Sequence, residues 1–305
     1  MNTRLTPATA LLLTVPPLMW AGNAIVGRAV HELVPPIALN FLRWGIAFLI
    51  LLPLGWPILR PSSRLWKYWR RFAILGLLGI GLYNALQYLA LQSSTPINVT
   101  LVAAGMPVWM LLVGWMFFGA AVRRTQILGA ALSIGGVLLV LSRGELSRLL
   151  DLHLVPGDIL MVLATIAWAV YSWMLALPEE AEGLRHDWAG FLLAQVVFGL
   201  AWSALFAAGE WVVGDPKFFW SWPVVAAVLF VAVGPAIIAF RCWGAGVQRA
   251  GPNVAGFFSN LTPLFTALMS SAFLGEAPHG FHIAAFALIV GGIVVSSWRR
   301  SSHGS

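Results

Sequence analysis

The sequence predicts an all-α integral membrane protein with ten transmembrane helices, arranged as two five-helix repeats inserted in opposite orientations. Three observations lead there. Of 305 residues, 60% are hydrophobic and only 10% charged. The apolar residues fall into stretches long enough to cross a bilayer, and the second half of the chain repeats the Pro and Gly spacing of the first. A soluble domain carries about a quarter of its residues as charges, and this chain has no such shell.

A hydrocarbon layer about 30 Å thick takes roughly 20 apolar residues per helix. Ten stretches meet that length: 8–27, 36–59, 72–91, 97–119, 125–141, 157–177, 188–208, 222–247, 254–274 and 281–298. Pro and Gly interrupt several of them, which membrane helices tolerate when neighbours satisfy the freed backbone groups. The first stretch is too long for a signal peptide, carries Asn23, and lacks a small-residue cleavage site, so it reads as a helix. Ten spans place both termini on one side. The loops there hold Arg4, Arg60, Arg64, Lys67, Arg70, Arg71, Arg123, Arg124, Arg185, Arg249, Arg299 and Arg300, twelve of the eighteen basic residues. Arg28, Arg143, Arg148 and Lys217 lie opposite, and the bias puts both termini in the cytoplasm. The net charge of +7 is thus a topology signal scattered over short loops. It forms no basic stripe, so the expected surroundings are lipid and no nucleic acid is expected as a partner. Cys242 is the single cysteine, which excludes an intrachain disulfide and a cysteine-rich metal site.

Shifting the chain by 156 residues aligns Pro96 with Pro252, Pro107 with Pro263, Gly119 with Gly275, and Gly135 and Gly136 with Gly291 and Gly292. A weaker match sets Trp20 against Trp168 and Asn23 against Tyr171. The resulting organisation is a first repeat over 1–141, a linker over 142–156, a second repeat over 157–298 and a cytoplasmic tail over 299–305. Leucines at 146, 149, 150 and 154 give the linker helical spacing, compatible with an amphipathic helix on the outer surface. An odd number of spans per repeat forces the second copy to enter the membrane from the other side. Such symmetry gives a transporter two related states around a midplane site.

Several segments carry a family resemblance: WAGNAIVGR at Trp20 to Arg28, GDILMVLATIAWAVYSW at Gly157 to Trp173, and NLTPLFTALMSSAFLGE at Asn260 to Glu276. With LGAALSIGGVLLV at Leu128 to Val140 and its partner around Gly291, the chain resembles the drug/metabolite transporter superfamily, in its ten-helix type built of two EamA-like halves. The first half departs from that pattern, reading GMP at Gly105 to Pro107 and FGA at Phe118 to Ala120, without the acidic residue. Within the superfamily the chain looks like the bacterial exporters of aromatic amino acids. The resemblance implies export of a small solute from the cytoplasm across the bacterial inner membrane, with no cofactor.

The candidate site residues are neutral and lie inside spans. Tyr83, Asn84, Gln87 and Tyr88 form the densest polar cluster, with Tyr83 and Gln87 one turn apart and Asn84 and Tyr88 likewise. They read either as a cavity wall or as hydrogen-bonding glue between helices. Trp20 and Asn23 share a face of the first span, and Trp168, Tyr171 and Ser172 occupy the related part of the sixth. Trp243, Ser259 and Asn260 complete the set. Neutral hydrogen-bonding groups beside aromatic faces suit a small zwitterionic or uncharged solute such as a neutral amino acid. No Asp or Glu sits in mid-span, and His153, His186, His279 and His282 lie in loops or at span ends. Intramembrane proton relays use such residues, so uncoupled transport is expected. The alternative is a proton-coupled drug or metabolite antiporter with its relay at a span end. Arg43 and Arg241 are the only basic residues within spans. Arg241 is placed to snorkel, and Arg43 either to pair with Glu32 or to meet a substrate carboxylate. No nucleophile-base pair, paired intramembrane carboxylates or phosphate loop points to an enzyme. No sequence feature fixes the oligomeric state, and a monomer is compatible with all of these readings.

Overall fold

The computed structural model describes residues 5–30, 33–150, 153–177, 182–213, 218–274 and 280–298, and every regular element among them is helical. The main helices are α1 (Pro7–Ala29), α2 (Pro36–Gly55), α3 (Trp66–Ser93), α4 (Pro96–Ala104), α5 (Met106–Phe118), α6 (Arg124–Leu141), α7 (Pro156–Ala176), α8 (Trp188–Val213), α9 (Trp222–Ala250), α10 (Pro252–Ser259), α11 (Leu261–Leu274) and α12 (Gly280–Ser297). Eight of these are long and apolar enough to cross a membrane, and nine spans result when α4 and α5, bent by 44°, count as one. The chain is therefore a multi-pass integral membrane protein. The expected tenth span, 254–274, is divided at Asn260 into α10 and α11, of 8 and 14 residues, each too short to cross alone.

The divisions have local causes. Pro107 and Pro263 lack the N–H that would bond back one turn, so the helical ladder breaks just before each of them. Gly105 and Asn260 sit at the two breaks with nearly the same backbone angles, φ −70 and ψ −4 against φ −71 and ψ −6. Other irregularities also recur at the 156-residue offset. A wide π turn over Gly76–Leu82 in α3 matches one over Ala232–Ile238 in α9, where Pro235 again removes a donor. Both α4 and α10 open on a proline, and α6 and α12 begin and end 156 residues apart.

Packing sorts the helices. α1 lies along α9, α10 and α11, while α7 lies along α3, α4 and α5; α2 pairs with α8 and α6 with α12. The α6–α12 pair is the tightest. A Cβ on Gly129 would stand 2.7 Å from the Gly292 carbonyl, one on Gly292 2.6 Å from the Gly129 carbonyl, and one on Gly136 2.8 Å from the Ala285 carbonyl. Small residues let the two backbones touch, which is how helices associate when lipid removes the hydrophobic driving force.

The two ends of the bundle differ. At the end that holds the start of α1, α10 packs on α5 and α7, and α9 packs on α7. The pairs related to these by the 156-residue offset, α4 with α11 and both α3 and α4 with α1, make no comparable contact among the described residues. The first end is also tied by Arg71, whose Nη2 donates to the Met174 carbonyl at 2.7 Å, and by Trp173, whose indole N–H donates to the Met110 carbonyl at 2.8 Å. At the opposite end Asp158 holds α7 to the α3–α4 junction. Its carboxylate accepts from the Ser94 hydroxyl, from Asn98 Nδ2 at 3.1 Å and from the Val155 N–H at 2.9 Å.

Between the halves, the described part of the linker forms a single 3-10 turn at Leu146–Leu149 rather than a full amphipathic helix, with Leu150 and Leu154 strongly exposed. The polar stretch is too short for helix formation without a covering partner. Glu32, Glu276, His279, Arg299 and Arg300 lie outside the described residues. Arg241 is exposed and stacks its guanidinium 4.1 Å from the Trp188 ring centroid, as its expected snorkelling requires.

Two substitutions test this packing. Gly292→Val forces side-chain volume against the Gly129 carbonyl and should destabilise by about 1–3 kcal/mol, read as a lower melting temperature in detergent. Asn260→Ala leaves two partners without their donor and should cost about 1–3 kcal/mol in the same assay.

Candidate functional site

Rings from four helices meet around Trp168, halfway along α7. Trp168 lies 5.3 Å from Trp20 on α1, edge to face, 5.1 Å from Tyr83 on α3 and 5.0 Å from Tyr171 on its own helix. It also lies 5.5 Å from Trp243 and 5.4 Å from Phe240, both on α9. Trp20 and Trp243 are themselves 5.5 Å apart. Offset and edge-to-face pairs at these separations are the attractive geometries for aromatic quadrupoles. The cluster joins the α1–α9 side of the molecule to the α3–α7 side.

Local sequence explains how large rings fit so closely. Gly79 lies in the π turn of α3, and a Cβ there would come within 2.7 Å of the Tyr171 ring. Its missing side chain leaves room for that ring. Two of the polar ring edges are partnered: Trp243 Nε1 donates to Ser172 Oγ at 3.1 Å, and Tyr171 Oη donates to Gln195 Oε1 at 2.9 Å. Gln195 Nε2 in turn donates to the Phe191 carbonyl at 3.1 Å, which orients the amide. Burial of an indole or phenol without such partners would be costly.

A polar tier stands beside the rings on α3. Asn84 is buried, and Gln87 and Tyr88 are half-buried. Among the described residues neither Asn84 nor Gln87 has a hydrogen-bond partner, and their polar atoms are not sealed from solvent. They make none of the interhelical bonds that a purely structural role would need. Asn23, half-buried on α1, is also unbonded among the described residues.

The remaining expected residues sit at the helix break. Asn260 Nδ2 donates to the Ala104 carbonyl at 3.2 Å and to Ser133 Oγ at 2.9 Å, and Ser259 Oγ donates back to the Gly256 carbonyl at 2.6 Å. Both amide donor bonds of Asn260 are thereby committed to the scaffold. The structure thus brings Trp20, Tyr83, Trp168, Tyr171, Ser172 and Trp243 together, leaves Asn84, Gln87 and Tyr88 within the next two turns of α3 after Tyr83, bonds Ser259 back to its own helix and ties Asn260 to α4 and α6. Phe240, Trp44 and Gln195 are participants that sequence reasoning missed. Trp44 meets Phe240 edge-on at 4.8 Å, extending the ring cluster to α2. A separate groove of about 570 Å³ between α3 and α8, with Leu82, Leu86, Phe206 and Glu210 in its lining, contains none of the expected site residues.

The EamA-like transporter family model matches the chain twice, over residues 8–142 and 155–298. Among curated proteins, an aromatic amino acid exporter, YddG, of Ancylobacter novellus is 28% identical over 286 residues, covering 92% of this chain and 93% of its own. An uncharacterized transporter of Archaeoglobus fulgidus is 26% identical over 298 residues, covering 96% and 98%. The uncharacterized inner membrane transporter YedA of Escherichia coli is 27% identical over 289 residues, covering 91% and 87%. A solved crystal structure superposes with a TM-score of 0.74 at 24% identity, over 95% of this chain and 96% of that one, and so shares the fold. With both halves matched and relatives aligned over nearly its whole length, this chain belongs to the EamA-like transporter family.

Proposed function

We propose that the protein exports neutral amino acids, aromatic ones among them, across a bacterial inner membrane by uncoupled alternating access. The observation that carries this reading is the aromatic cluster around Trp168, built from rings on opposite sides of the molecule. In this reading a flat or apolar side chain takes the place of part of the ring-to-ring contact and so touches both sides at once, with Asn84, Gln87 and Tyr88 farther along α3 as neutral hydrogen-bonding groups. The resemblance to an aromatic amino acid exporter supports the same substrate class.

The transport cycle follows from the asymmetry of the two ends. In this reading the molecule is two inverted five-helix halves with ten spans, α4–α5 and α10–α11 each forming one broken span, and both termini face the cytoplasm. The contacts of α10 on α5 and α7 then close the cytoplasmic end, and the missing counterparts leave the outer end open. Exchanging the two sets of contacts gives the inward-open state, because each half can adopt the packing of the other.

A second reading, proton antiport of drugs or metabolites, is favoured by Asp158, a carboxylate that is 4% exposed at a span end. Its three hydrogen-bond donors and its position in the first turn of α7 also describe a capping residue.

Uptake of labelled tryptophan, phenylalanine, threonine and methionine into proteoliposomes, with and without a pH gradient, decides between them. Saturable flux indifferent to the gradient is expected, and flux only with the gradient assigns the antiport reading instead. Gln87→Ala should lower flux roughly three- to tenfold, the loss of one neutral hydrogen bond. Trp168→Leu keeps apolar volume and removes ring contact, and should weaken tryptophan transport roughly tenfold more than threonine transport.

A further inference from the structure

Arg43 lies on α2 with 3% of its surface exposed, and among the described residues no carboxylate pairs with it. Its Nη2 donates to Asn40 Oδ1 at 2.7 Å, and its Nε has no partner. The other terminal nitrogen, Nη1, has no protein partner and is not sealed in. Glu210, the carboxylate on the neighbouring α8, is already engaged by the Ile37 and Ala38 amides at 3.2 and 2.9 Å, where it caps the start of α2. Among the described residues the guanidinium is therefore a positive charge without a counter-charge inside a membrane span. Such a charge is costly unless an anion joins it.

The surroundings hold this charge in place. Asn40 Nδ2 donates to Ser203 Oγ on α8 at 2.8 Å and to the Ile80 carbonyl on α3 at 3.4 Å, so its Oδ1 is turned toward Arg43. The ring of Trp44 lies 5.2 Å from the guanidinium carbon, and Trp44 touches Phe240, which touches Trp168. Through Trp44 and Phe240 the guanidinium is linked to the ring cluster, and its partner Asn40 is tied to α3 and α8, which leaves Nη1 as the donor open to a carboxylate oxygen.

We propose that Arg43 binds the carboxylate of the transported solute, with Asn40 and Ser203 as the residues that position it. The inference deepens the proposed function by naming the group that reads the solute's acid end. It places the carboxylate beside α2 and α3 and the side chain against the rings around Trp168.

A matched pair of probes tests it without relying on amino-acid flux. Purified protein in nanodiscs is titrated with indole-3-acetate and with indole-3-acetamide at constant chloride, and binding is read as the rise in unfolding temperature. The acid should half-saturate at a concentration at least tenfold lower than the amide, as expected for a charge-assisted bond, and Arg43→Gln should bring the two within twofold. Equal behaviour of acid and amide in the wild type, binding of neither, or a preference that survives in Arg43→Gln each overturns the proposal. Loss of the preference when chloride is raised replaces the carboxylate with an inorganic anion as the resident ligand, and also overturns it. If Arg43→Gln does not fold, the wild-type pair and Arg43→Lys, which should retain a preference above threefold, decide. Failure of the amino-acid reading shows separately, as absent uptake of labelled amino acids beside an intact acid-over-amide preference.

Discussion

A helix broken inside a bilayer exposes carbonyls that water cannot reach, and each must find a donor within the protein. Here the Ala104 carbonyl is freed where α4 turns into α5, and Asn260 supplies the donor from the other broken helix. The two residues are 156 positions apart, the offset at which the π turns, the opening prolines and the α6 and α12 boundaries also recur. Two positions related by a twofold can meet only near its axis, so under the proposed inverted repeat this bond marks where the halves cross. Ser133 takes the second amide hydrogen and ties α6 into the same point.

The rest of the structure is arranged around that crossing. The rings of Trp20 and Trp243, on the α1–α9 side, face those of Trp168, Tyr171 and Tyr83, on the α3–α7 side, and the Trp243–Ser172 hydrogen bond joins the same two sides. In the proposed cycle these are the contacts that exchange between the two states. By contrast, the α6–α12 pair is closed by backbone contact at Gly129 and Gly292, and in the proposed cycle it is the part that stays fixed.

Much of this was legible in the sequence, because membrane insertion leaves few choices. The spans follow from length and hydropathy, and Pro107 and Pro263 mark the breaks by the donors they lack. Trp20 and Trp168 stood out because each lies some ten residues into its span, away from the interfacial belt where tryptophan is common, whereas Trp243 lies near the end of its span 222–247. Gln195, Asn40 and Phe240 did not stand out. A single Gln or Asn in an apolar run, or one more Phe among eighteen, has no spacing that distinguishes it, and its role arises only when another helix brings Tyr171, Ser203 or Trp44 against it. Asn260 shows the opposite case. It was legible as a candidate binding residue, while its partners, the Ala104 carbonyl and Ser133, are invisible until the halves are packed. The division of 254–274 into two short helices is visible as Pro263 in the sequence, yet its consequence for span number depends on the bend.

The central claim is that the α10–α5 contact closes one end of a pathway whose other end closes by the related contact of α4 with α11. Gly256 on α10 faces Met110 on α5, where an added Cβ would stand 2.6 Å from Met110 Cγ, and the offset pairs these positions with Thr100 and Thr266. The most direct measurement is disulfide cross-linking of Met110→Cys with Gly256→Cys, and separately of Thr100→Cys with Thr266→Cys, each in a Cys242→Ala background in proteoliposomes. Alternating access predicts that both pairs form, that each bond stops transport, and that reduction restores it. Transport that continues with the first pair fully cross-linked, or a second pair that never forms during turnover, would contradict the claim.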